Sequence, residues 1–168
     1  MIIPKTTRTR VILVLTMLFL LLATWTCSSK ADNSKLPQAI AGETLSEVVR
    51  GSDATKIIND MHGKSLGTDE YVIGYYGPKE NKNILYLSIF PDEQSAKQDF
   101  MDMSMKMSRG TPVFSPLKVM NKGDKVQFTT LGMGKAHFIF RDNETLIWWQ
   151  GDTTNFDQAI TDLDAFQW

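Results

Sequence analysis

One cysteine, Cys27, stands in 168 residues, so a monomer holds no internal disulfide. Two histidines, His62 and His137, are too few for a metal site built from imidazoles alone. The chain has no G-x-S-x-G elbow, no H-E-x-x-H helix and no phosphate-binding P-loop, which removes the commonest hydrolase, metalloprotease and nucleotide-binding signatures. Ser115-Pro116-Leu117-Lys118 spells S-x-x-K, but Pro116 denies it the helical turn that would bring Ser and Lys together. Gly132-Met133-Gly134 is too short for a dinucleotide fingerprint. Beyond the first ten residues there is no basic run, so the electrostatic footprint of a nucleic-acid binder is missing. No apolar run reaches the 20 or so residues that span a bilayer comfortably.

What is present begins at the N-terminus. Lys5, Arg8 and Arg10 stand without an acid among them, and Val11 to Trp25 then runs without a charge. Cys27 follows, and after it the polar strip Ser28-Ser29-Lys30-Ala31-Asp32-Asn33-Ser34-Lys35. A basic start, a short apolar core and a small polar exit are the parts of an export signal. A lone cysteine at the end of the apolar run, followed by a Ser-rich tether, resembles the acceptor cysteine of a bacterial lipoprotein. That resemblance is confined to the signal segment. It implies lipidation of Cys27 and a domain held at a membrane face without a spanning helix. Thr24 and Thr26 stand where the lipoprotein pattern has Leu and a small residue. Two other fates stay open: cleavage after Ala31, where Ser29 and Ala31 satisfy the small-x-small rule, and an uncleaved anchor. The chain therefore divides into a signal or anchor at 1–26, a tether at 27–35 and one globular domain at 36–168.

Removing the three basic residues of the signal leaves 15 Lys and Arg against 19 Asp and Glu, a net of −4, with the signs interspersed. A domain of this size buries about two-thirds of its unfolded surface and needs no staples.

Along the domain, 36–50 is ambiguous, because Pro37 and Gly42 interrupt it. Ala54, Ile57, Ile58 and Met61 recur at helical spacing after Ser52, a cap residue, and before Gly63, a stop. Glu70–Tyr76 and Ile84–Phe90 read as a hairpin. Asp92 opens a second helix with Ala96, Phe100, Met103 and Met107 as its buried stripe, and Gly110 closes it. Val113–Met120 reads as an edge or bulged strand because Pro116 cannot donate to a ladder. Strands follow at Lys125–Leu131, Lys135–Arg141 and Thr145–Gln150, then a helix capped near Thr153 or Thr154 with Phe156, Ala159, Ile160 and Leu163 inward. The expected fold is α+β: an antiparallel sheet of about five to six strands with two to three packed helices, built from hairpin-helix units.

Several strands are apolar on both faces. Leu85, Leu87 and Ile89 oppose Ile84, Tyr86 and Phe90, while Leu146 and Trp148 oppose Ile147 and Trp149. A sheet with one wet face would alternate apolar with polar, so both faces should be covered. An incompletely covered face would give a groove for a hydrophobic ligand or a protein partner, with Trp148, Trp149 and Tyr86 as the ligand-facing residues. No cofactor and no nucleic acid are expected, and the leading reading is a non-enzymatic, exported, membrane-tethered binding domain. The alternative is a periplasmic copper or haem binder using His137, Met133, His62 or the run Met101, Met103, Met105, Met107. At 100° per residue, however, Met101 and Met105 lie opposite Met103 and Met107 on a helix and do not converge on one ion.

Overall fold

The computed structural model describes residues 36–168. The signal, the tether and Cys27 lie outside the described residues. Eight strands form one antiparallel sheet: β1 (Ala39–Ile40), β2 (Glu43–Arg50), β3 (Glu70–Tyr76), β4 (Asn83–Ile89), β5 (Lys118–Lys122), β6 (Lys125–Gly132), β7 (Lys135–Asp142) and β8 (Thr145–Gly151). Their order across the sheet is β1-β2-β3-β4-β8-β7-β6-β5. Three α-helices join them: α1 (Gly51–His62) between β2 and β3, α2 (Glu93–Met107) after β4, and α3 (Phe156–Ala165) after β8.

The α+β class and the antiparallel sheet agree with the reading of the sequence; the strand count does not. Eight strands replace five to six because the ambiguous 36–50 segment forms β1 and β2. Most of β2 is exposed at one edge of the sheet, so it carries no clean alternation to read. The hairpin-helix units also need correcting. The hairpins β3–β4 and β7–β8 do each lead into a helix, but α2 packs against β7 and β8 while α3 joins the cluster on the opposite face.

Register explains both faces. On one face Val72, Leu87, Ile147 and Phe140 lie side by side across β3, β4, β8 and β7, and so do Gly74, Leu85, Trp149 and Phe138. These residues, with Ala159 and Leu163 of α3 and with Leu36, Ile40 and Ala41, make the main core. The start of the domain is tied down there. The Tyr76 phenol donates to the Pro37 carbonyl at 3.0 Å, and the Ala41 N–H donates to Asp162 on α3 at 2.7 Å.

The other face has two smaller cores. Ala54 and Ile58 of α1 cover Tyr71 and Ile73, and Ala96 and Phe100 of α2 cover Phe128, Ile139 and Leu146. Helix ends follow local chemistry. The Asp92 carboxylate accepts the Ser95 N–H at 2.7 Å and caps α2. Gly63 ends α1 at φ 65°, in the left-handed region that costs glycine nothing. Ser52 is not a cap: α1 begins at Gly51, one residue earlier, and Arg50 stands in the cap position without a side-chain bond. Met61 turns outward at 54% exposure, so the apolar face of α1 ends at Ile58. The last helix begins at Phe156, after a short 3-10 turn whose cap is Asp152, not Thr153 or Thr154.

Candidate functional site

The face shared by α1 and α2 is not sealed. α1 lies against β2 and β3, α2 against β7 and β8. Tyr86 of β4 and Trp148 of β8 are direct cross-strand partners in the middle of the sheet, and both are half-buried. Tyr75 and Ile84 are the next such pair, also half-buried. Together they form an apolar, largely aromatic strip with Gln150 at its end. The Lys82 ammonium sits 4.4 Å from the centre of the Tyr75 ring and pairs with Glu47 at 2.6 Å. Burial, with Tyr75 adding to it, pushes the Tyr86 phenol up to about 12, so it remains a hydrogen-bond donor at neutral pH.

Beside the strip is a fully buried histidine. The Trp148 Nε1–H donates to His137 Nδ1 at 3.0 Å. An indole nitrogen only donates, so His137 Nδ1 accepts and the ring proton is on Nε2. That proton is donated to the Gly132 carbonyl, with Nε2 3.0 Å from the oxygen. Phe114 stands edge-on to the imidazole, 5.1 Å between ring centres, and roofs it from the 110–117 loop. Thr130, His137's neighbour across the β6–β7 ladder, bonds with Ser115 of the same loop. Burial holds the His137 pKa below its ordinary value, while the Gly132 carbonyl opposes the shift.

A folded-state pKa below that of the unfolded chain means that the unfolded state binds the proton more readily. Stability from this group is therefore present above about pH 6.5 and lost as pH falls below it. Urea midpoints of the wild type should fall on acidification below pH 6.5, and the part due to this ring should be missing from His137→Gln. A His137→Gln profile with the wild-type slope in that window would contradict the assignment.

The same geometry bears on metal binding. His137 has no free lone pair, because Trp148 occupies the one at Nδ1. Met133, at φ 51° in the β6–β7 turn, is 64% exposed. His62 Nδ1 lies 2.9 Å from the Ile58 carbonyl one turn back, a helix-end contact. Met101 and Met105 are exposed, Met103 is half-buried and Met107 is buried, so the run splits over the faces of α2. Among the described residues no three His, Cys, Asp or Glu side chains gather for a metal ion.

Trp149 is the site residue that the structure moves. It is fully buried on the opposite face, stacked on Phe156 of α3 at 5.9 Å between ring centres. Strand alternation is the reason: of two adjacent tryptophans on β8, one must face each side. Sequence reasoning missed Tyr75 and Phe114. Tyr75 belongs to the strip through its pairing with Ile84, which no local pattern reveals. Phe114 reaches His137 from a loop.

A second surface lies at the far edge of the same face. A groove of about 500 Å³ runs between the end of α2 and β5, lined by Met105, Leu117, Val119 and Phe128 with Arg109 beside them. Among the described residues no helix is long and apolar enough to cross a membrane.

No family model, curated protein or solved structure matches this chain.

Proposed function

We propose that this chain is an exported cell-envelope protein, held at the periplasmic or other extracytoplasmic face of a membrane by lipid on Cys27, whose domain binds a hydrophobic ligand or a protein partner and catalyses no reaction. The observation that carries the binding reading is the half-buried strip of Tyr75, Ile84, Tyr86 and Trp148. Tyr75, Ile84 and Tyr86 pack against the α1 cluster and Trp148 against the α2 cluster, yet none of the four is fully buried. Aromatic rings with a polar tip are the residues that bind apolar partners while tolerating water.

Delivery rests on the position of the only cysteine, at the end of a charge-free run too short for a comfortable span and ahead of a polar tether. Cys27→Ser tests it. The lipidated protein should carry the mass of acyl chains at Cys27 and fractionate with membranes, and the variant should accumulate as precursor or be released. A mature wild-type protein that begins at Asp32 without acyl mass would overturn the lipid anchor.

A further inference from the structure

We propose that the free edge of β5, with the groove beside it, takes up an extended acidic peptide segment of a partner protein as a ninth strand. β5 is the last strand of the sheet, so one side of its backbone has no strand partner. Adding a strand there lets main-chain bonds supply affinity and lets alternate side chains enter neighbouring pockets. The groove bounded by Met105, Leu117, Val119 and Phe128 is placed to receive one apolar side chain of such a strand.

Apolar exposure concentrates around this edge. Among the described residues nine large apolar side chains are exposed, and seven of them (Met101, Met105, Val113, Val119, Val126, Leu131 and Met133) come from α2, β5, β6 and the segments joining them to β7. Charge selects the occupant. Residues 36–168 carry 13 Lys and Arg against 18 Asp and Glu, a net of −5. Yet 103–123, which holds the end of α2 and all of β5, contains Lys106, Arg109, Lys118 and Lys122 and no acid. Lys122 is paired with Asp164 of α3 at 2.8 Å, whereas Arg109 and Lys118 make no ion pair among the described residues, and their charge favours an acidic strand and repels a basic one.

A second copy of this chain fits badly. Two β5 strands paired antiparallel about Met120 would set Lys118 opposite Lys122, and like charges directly opposite are destabilising. Lysines on an edge guard against self-pairing, and here they leave the edge open to an acidic partner. The groove shares no lining residue with the strip, although Trp148 packs against the same cluster as Leu117 and Phe128; the proposal goes beyond the binding strip and is tested apart from it.

The test uses the full chain and three probes: a labelled short peptide alternating Glu and Val, its Lys and Val counterpart, and phosphatidylglycerol vesicles. Fluorescence polarisation should show saturable binding of the Glu–Val peptide and none of the Lys–Val peptide. Arg109→Glu with Lys118→Glu should weaken the first by about tenfold or more and confer binding of the second. Both side chains are exposed, so the thermal transition of the variant should match the wild type and exclude misfolding. Lys79→Glu, a charge reversal at an exposed residue outside α2 and β5, should bind the Glu–Val peptide as the wild type does. Failure to bind that peptide, equal binding of both peptides, or indifference to the charge reversal would overturn the proposal. So would vesicle binding in place of peptide binding, or a concentration-dependent dimer abolished by the same reversal.

Discussion

Trp149→Ala should destabilise the domain by about 3–5 kcal/mol, read as a lower urea midpoint, against a total stability on the order of 5–15 kcal/mol. Trp149 is fully buried, lies between Leu85 and Phe138 on the sheet, and stacks on Phe156. Its ring also covers Gly151 so closely that no Cβ fits there. Ala at 149 would leave a cavity bounded by α3 and three strands. Trp149→Phe should cost much less. The Trp149 Nε1–H has no acceptor among the described residues, and a buried orphan donor costs about 1–3 kcal/mol. Phe removes that donor while keeping most of the ring. Equal losses for Ala and Phe would contradict this account of the site. Trp148→Ala, at a half-buried position, should cost less stability than Trp149→Ala.

Gly132→Ala should destabilise by about 1–3 kcal/mol, the usual range for forcing atoms into a filled site. A Cβ at 132 would collide with the Phe114 ring and stand 2.7 Å from the Val113 carbonyl oxygen. Gly132 is also the residue whose carbonyl accepts the His137 proton, and it bridges to Phe114. The substitution therefore acts on the roof of the histidine as well as on β6. Adding Phe114→Ala should recover part of the loss, because the ring is the larger obstacle. Strict additivity of the two changes would mean that they do not meet. With the roof displaced, acid sensitivity below pH 6.5 should also shrink, since a hydrated imidazole no longer resists protonation.

Much of this fold was legible because apolar residues recur at the spacing of each element. α2 and α3 carry their buried residues at the spacings that sequence reading assigns, and β3, β4, β7 and β8 coincide with the apolar runs. β1 and β5 were less legible for a physical reason. β1 is only two residues long, and β5 is exposed along most of its length, so neither has enough core contacts to print a pattern. The double-sided apolar character of β4 and β8 did carry the message that both faces are covered. It did not say which tryptophan faces which helix. Sequence alternation separates Trp148 from Trp149 but gives no sign of direction; only the register with Tyr86 and Leu85 supplies it. The strip, the imidazole bonded to Trp148 and the β5 groove all join residues far apart in the chain. Ser115 and Thr130, or Met105 and Val119, become neighbours only once the sheet has formed.

The central claim is that the strip of Tyr86 and Trp148 is a binding surface. Native mass spectrometry of the full chain, purified from its own membrane fraction, tests this most directly when wild type is compared with the variant Tyr86→Ala, Trp148→Ala. The account predicts a bound species on the wild type that is lost from the variant, while the thermal transition of the variant remains cooperative. A wild-type protein without any bound species, or one whose bound species survives the double substitution, would contradict it.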